Sequence, residues 1–170
     1  MTEINLIEEM PRLREAINHP LYQKHYRRIQ ELERDREYCH HDMEHFLDVA
    51  RIAYIRNLEL HLEYDKELIY LVAFLHDIGK DRQYLDQVSH EISSAEIAEA
   101  ILGDLSIGSS AEEINWILQS IRGHRREKDA MTEAQKLFYW SDKRSRKCFA
   151  CQMRESCNWK LEEKNMEIII

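Results

Sequence analysis

Apolar residues along this chain recur at helical spacing, three or four apart, with little strand-like alternation. Asn18-His19-Pro20 reads as a cap followed by a first-turn proline, separating an earlier helix from a second one. The second carries Leu21, His25, Ile29 and Leu32 on one stripe and is expected to reach about Glu37. From His41 to about Leu60 the pattern continues through Leu47, Ala50, Tyr54 and Leu58. Between Asp65 and Ile78 the polar face almost vanishes, because Leu68, Ile69 and the run Leu71–Leu75 point in every direction. A helix apolar all round is packed on every side, so this segment is expected at the centre. Gly79 is expected to end it as a left-handed cap.

A further helix is expected from about Ser89 to Leu102, ended by Gly103. Ser110-Ala111-Glu112-Glu113 is a capping box, and its helix carries Ile114, Ile117, Leu118 and Ile121 to near Gly123. Thr132-Glu133-Ala134-Gln135 is another, opening a helix through Asp142 to about Lys147. The pattern predicts an all-α fold, a single compact bundle of about six or seven helices. Residues 1–147 form that domain, and residues 148–170 are expected to be a polar, irregular tail packed on it.

Composition agrees. A chain of 170 residues with 44% apolar content suits one core. Four glycines and two prolines are too few for the many tight turns of a β-sandwich or barrel. The formal charge of −8 repels nucleic-acid backbones, which excludes general nucleic-acid binding. A small phosphorylated ligand remains compatible where cations or metal ions gather locally. Met1–Met10 lacks the apolar core of a secretory signal, no run approaches the length of a membrane span, and Glu167–Ile170 is too short for an anchor. A cytoplasmic location is expected, where four cysteines point to metal ligation or free thiols before disulfides.

The central helix delivers Leu75-His76-Asp77-Ile78-Gly79-Lys80. Adjacent imidazole and carboxylate groups at the end of a buried helix suit a transition-metal ion, although the same pair can simply cap a helix. Upstream, the segment Cys39–Ala50 places His41 and His45 four apart, on one face if helical. Downstream come His90, His124 and Asp142, each on or beside a predicted helix.

This order of residues resembles the HD superfamily of metal-dependent phosphohydrolases over roughly residues 35–147. The family pattern is a His on one helix, an adjacent His-Asp on the next, and a late Asp. His45, His76-Asp77 and Asp142 match it. The resemblance implies that these four hold a divalent metal ion. His90 and His124 match the positions that add a second ion in binuclear members, with Asp77 bridging the two. Fe, Mn, Zn, Co or Ni would all suit such ligands. Cyclic-nucleotide phosphodiesterases of the same superfamily carry His-Asn-x-x-His-Ala-x-Asp-Val, and the segment His41–Val49 is similar, departing at Asp42. By that likeness His41 is a candidate proton donor; otherwise it caps the helix or supports His45. Lys80, Arg122, Arg125 and Lys143 lie close in sequence to the ligands and are candidates for phosphate binding, with Lys80 and Asp77 also candidates for catalysis.

The activity implied is hydrolysis of a phosphate ester, of a nucleotide or similar small metabolite, by metal-activated water. The same ligands would serve a di-iron oxygenase, a second activity known in the superfamily. A non-catalytic metal-binding or sensing module is the third reading. The pattern sets no oligomeric state. Cys148-x-x-Cys151 with Cys157 resembles part of a zinc knuckle, and Cys39 could complete it, for Zn or an Fe–S cluster. A redox dithiol and plain reduced thiols are the alternatives. His19, His25, His40 and His61 read as surface or packing residues, and Trp116, Trp140 and Trp159 as core.

Overall fold

The computed structural model describes residues 9–168. Residues 1–8 and 169–170, parts of the segments expected to be neither leader nor anchor, lie outside them. Among the described residues there are eight α-helices, two short 3₁₀ turns and no strand. The helices are α1 (Pro11–Asn18), α2 (Pro20–Leu32), α3 (Met43–Glu59), α4 (Lys66–Leu75), α5 (Lys80–Asp86), α6 (His90–Asp104), α7 (Ala111–Gly123) and α8 (Glu133–Arg144). No helix among them is long and apolar enough to cross a membrane.

The all-round apolar segment is indeed central. Leu71, Val72, Ala73 and Leu75 of α4 are fully buried, and α4 packs against α1, α3, α6 and α7. Phe46, Val49 and Ala53 of α3, Ile117 and Ile121 of α7, and Phe138 of α8 belong to the same core. Each large side chain buried there contributes about 1.5–3 kcal/mol. A buried carboxylate ties α1 on. Glu67 Oε1 accepts from the backbone N–H of Arg12 at 2.7 Å and of Leu13 at 3.2 Å, and Oε2 accepts from Arg12 Nε at 2.8 Å.

Both capping boxes form, with Ser110 Oγ accepting from Glu113 N and Thr132 Oγ1 accepting from Gln135 N. Four expectations need correction. First, α2 ends at Leu32 because the Glu33 carboxylate turns inward to His41. Second, α3 begins at Met43, with Asp42 as N-cap accepting from His45 N at 2.9 Å. His41 therefore precedes the helix and does not share a helical face with His45. Third, Gly79 is not left-handed, since its φ is −93°. It opens α5, a helix the apolar pattern did not announce, and the left-handed residue there is Gln87 with φ 58°. Fourth, Gly103 lies inside α6 and does not end it.

Residues 148–168 lie against the end of α8. The buried Asn165 donates through Nδ2 to the carbonyls of Arg144 and Arg146, both at 3.0 Å. Its own carbonyl accepts from Phe149 N at 2.9 Å.

Candidate metal centre

Five helices end, or begin, at one buried point. The first turn of α3 brings His45, the C-terminus of α4 brings His76 and then Asp77, and α6 opens with His90. His124 caps the C-terminus of α7, and Asp142 lies in the last turn of α8. All six are buried.

Their ligand atoms fall into two groups that share Asp77: His45, His76, Asp77 and Asp142 in one, Asp77, His90 and His124 in the other. Asp77 Oδ2 lies 3.2 Å from His76 Nε2 and 3.4 Å from His45 Nε2. Asp142 Oδ1 lies 3.5 Å from His45 Nε2 and 3.9 Å from His76 Nε2. The other oxygen, Asp77 Oδ1, lies 3.2 Å from His90 Nε2 and 3.6 Å from His124 Nε2. Ligands about 2.1 Å from one ion stand about 3.0–3.5 Å apart, so most of these separations already fit.

The histidine tautomers fit as well. His76 Nδ1 donates to the Ala73 carbonyl and His124 Nδ1 to the Ile121 carbonyl, both at 2.6 Å. His45 Nδ1 donates to Ser145 Oγ at 3.0 Å, while that hydroxyl donates to the Asp142 carbonyl at 2.7 Å. His90 Nδ1 donates to Gln83 Oε1. Each ring is thereby turned so that the Nε2 lone pair faces inward, as metal-binding imidazoles require. His45 Nε2, His76 Nε2 and Asp77 Oδ1 are buried with no hydrogen-bond partner. The Nε2 atoms of His90 and His124 face each other at 3.2 Å. Inward lone pairs without donors are costly, and a cation satisfies all of them together.

Electrostatics agree with this. Burial alone would raise the Asp77 pKa, but His76, whose own pKa this carboxylate raises, together with Lys80 outweighs it and holds the carboxyl well below its usual range. Asp142 is held down in the same way, chiefly by Lys143 against burial. Burial keeps His45 and His90 neutral, the form that donates a lone pair.

Above the two groups lies a cleft of about 290 Å³. His41 lines it, with Nε2 3.7 Å from Asp77 Oδ2. Glu33 grips His41 twice, accepting from its backbone N–H at 2.7 Å and from its ring Nδ1, while Tyr84 Oη donates to the same carboxylate. The cations of the cleft are Arg36, Lys80, Arg125, Arg126, Lys143 and Arg146. Lys143 is paired with Asp142 at 3.1 Å, and Arg125 is held by Glu91 at 3.0 Å. Arg122 is not among the lining residues, since it stands two positions from His124 on α7 and so on another face. Trp159 lines the cleft rather than the core. The four cysteines meet at a separate small cavity beside it.

Glu33, Gln83, Ser145, Arg126 and Arg146 carry no signal that single-sequence reading picks out. Gln83 lies on the unannounced α5.

Helix ends that gather buried His and Asp side chains define a helical domain with a centre that could hold metal. Residues 42–147, more than half of the chain, match the HD domain family, and the chain belongs to it. It is 45% identical over 159 residues to an uncharacterized protein of Clostridium beijerinckii, covering 94% of this chain and 99% of that one. No solved structure matches it.

Proposed function

We propose that this protein is a metal-dependent phosphohydrolase that cleaves a small phosphate ester, such as a nucleotide or similar metabolite. One observation carries the reading. Asp77 is shared between two buried ligand groups at the floor of a cleft lined by cations, in a chain of net charge −8. The family supports the coarser statement, a metal-dependent hydrolase, since HD domains belong to that superfamily.

His45, His76, Asp77 and Asp142 would hold one divalent ion, and Asp77, His90 and His124 a second. Such an ion supplies Lewis acidity and brings the pKa of bound water to about 7. The chain's own residues do the rest. Lys80, Arg125, Arg126 and Arg146 offset charge on the phosphoryl oxygens within the cleft. His41 donates a proton from Nε2 to the leaving oxygen, and Glu33 fixes its ring by accepting from Nδ1. Burial pulls the His41 pKa down to about 4, and a bound phosphate dianion beside Nε2 would favour the imidazolium again.

The test is release of inorganic phosphate from a panel of phosphate esters by metal-loaded protein. Asp77→Ala is expected to abolish release while keeping its helical circular dichroism. His41→Ala is expected to lower kcat by about 10²–10⁴ on alkyl or nucleoside esters. Its effect on an aryl ester with a good leaving group should be much smaller. Metal-loaded protein that hydrolyses nothing would support the sensing reading, and oxygen uptake by iron-loaded protein the oxygenase reading.

A further inference from the structure

We propose that Cys39, Cys148, Cys151 and Cys157 together bind one Zn²⁺ as thiolates, and that this ion holds the tail as a wall of the metal cleft. None of the four is in a disulfide. Cys39 comes from the loop between α2 and α3, and the other three from the segment after α8, yet all line one cavity. The cavity measures about 20 Å³. That is roughly the room of a single water-sized sphere, enough for one ion and too little for a cluster of irons and sulfides.

The local backbone suits a zinc knuckle. Cys148 opens a 3₁₀ turn and Cys151 caps it, with Cys151 N donating to the Cys148 carbonyl at 3.2 Å. Cys157 follows another turn, its N–H donating to the Met153 carbonyl at 3.0 Å. Among the described residues no three sulfurs lie within 4.8 Å of one another. Thiolates on one zinc stand about 3.8 Å apart, so the set must close inward on binding. Cys39, Cys151 and Cys157 lie outside helices and can make that movement.

Charge is also matched. Four thiolates on Zn²⁺ leave two negative charges, and Arg154 and Lys164 line the same cavity. Lys164 Nζ is held there by the carbonyls of Arg154 at 2.9 Å and Cys157 at 3.2 Å.

The consequence lies two residues beyond Cys157. Trp159 lines both the cysteine cavity and the metal cleft, and its ring centroid is 4.4 Å from Lys143 Nζ. Asn158 and Glu163 line the cleft from the same segment. Tyr38, next to Cys39, reaches Ser156 Oγ at 3.4 Å. An ion joining Cys39 to this segment therefore fixes the wall formed by Trp159.

The experiment uses the full-length Asp77→Ala protein, whose histidine centre is disabled, expressed in zinc-supplemented medium. About one zinc per chain is expected to remain. In wild type, an organomercurial titration should release that zinc to a metallochromic dye as four thiols are consumed, which needs no cysteine variant to fold. Stripping the zinc should expose residues 152–164 to trypsin. Folded Asp77→Ala protein with no zinc and four freely reactive thiols would overturn the site, as would a brown protein holding iron and sulfide. Unchanged cleavage after stripping would overturn the wall. None of these readouts depends on phosphate-ester hydrolysis.

Discussion

Glu33 does more at the centre than its position at the end of α2 announces. Its buried carboxylate accepts from His41 twice and from Tyr84 once. Burial would raise its pKa, but these partners win and lower it from 4.5 to about 2. A depressed carboxylate stabilises the fold fully above its unfolded pKa and loses that contribution as pH falls toward its folded one. The window is therefore about pH 4.5 down to about 2. Metal-free wild type is expected to lose about 1–2 kcal/mol more than Glu33→Gln between pH 6 and pH 3, read by urea unfolding. Equal losses would mean that the carboxylate is not held by His41 and Tyr84. The contrast with the six clustered residues is instructive. His45, His76, Asp77, His90, His124 and Asp142 stood out because they are metal-ligand types whose order along the chain resembles the HD pattern. Glu33 acts only through a contact eight residues along a bent chain, and Gln83 and Ser145 act only through the rings that they orient. Nothing in their spacing distinguishes them from solvated side chains.

At the scale of elements, caps and apolar stripes were legible, and close approaches were not. The boxes at Ser110 and Thr132 are local, so four residues suffice to read them. The helix α5, Lys-Asp-Arg-Gln-Tyr-Leu-Asp, has no apolar stripe and is held by polar contacts instead. Asp81 takes His25 Nδ1 at 2.8 Å, and Arg82 pairs with Glu96 at 2.6 Å. Gly79 marks where this helix meets α6. A Cβ there would lie 2.4 Å from both Ser93 Oγ and the backbone nitrogen of Ser94. Backbone cannot yield cheaply, so Gly79→Ala is expected to cost about 1–3 kcal/mol or more. It should also weaken metal binding, because the shift separates His76 and Asp77 on one side from His90 on the other. Gly103 is the matched control, helical and with nothing within 4 Å of its Cβ. Gly103→Ala is expected to gain about 0.4–1 kcal/mol. Chemical denaturation of both variants checks the pair, and a neutral Gly79→Ala would contradict the contact.

The whole molecule concentrates unfavourable electrostatics at one point and leaves the rest to ordinary packing. Its core is a conventional helical one around α4, while Asp77 and Asp142 are buried beside four imidazoles, of which His45 and His76 have no partner at Nε2. Helix ends converge there, so ions bound at this point would tie α3, α4, α6, α7 and α8 together. Ions that bind the folded chain and not the unfolded one add stability by mass action, about 2.7 kcal/mol at a hundredfold excess over Kd. For a domain of this length that corresponds to a rise in Tm of about 5–10 °C. Mn²⁺ is the informative ion, because carboxylate and imidazole accept it and thiolates do not favour it. Titrating Mn²⁺ into chelator-treated wild type should raise Tm through this range, and Asp77→Ala should stay flat, since removing Asp77 opens both groups at once. His90→Ala keeps His45, His76, Asp77 and Asp142 intact and should retain part of the rise. A full rise in Asp77→Ala would mean that the stabilising ion binds elsewhere, and that the shared carboxylate does not join the two halves of the centre.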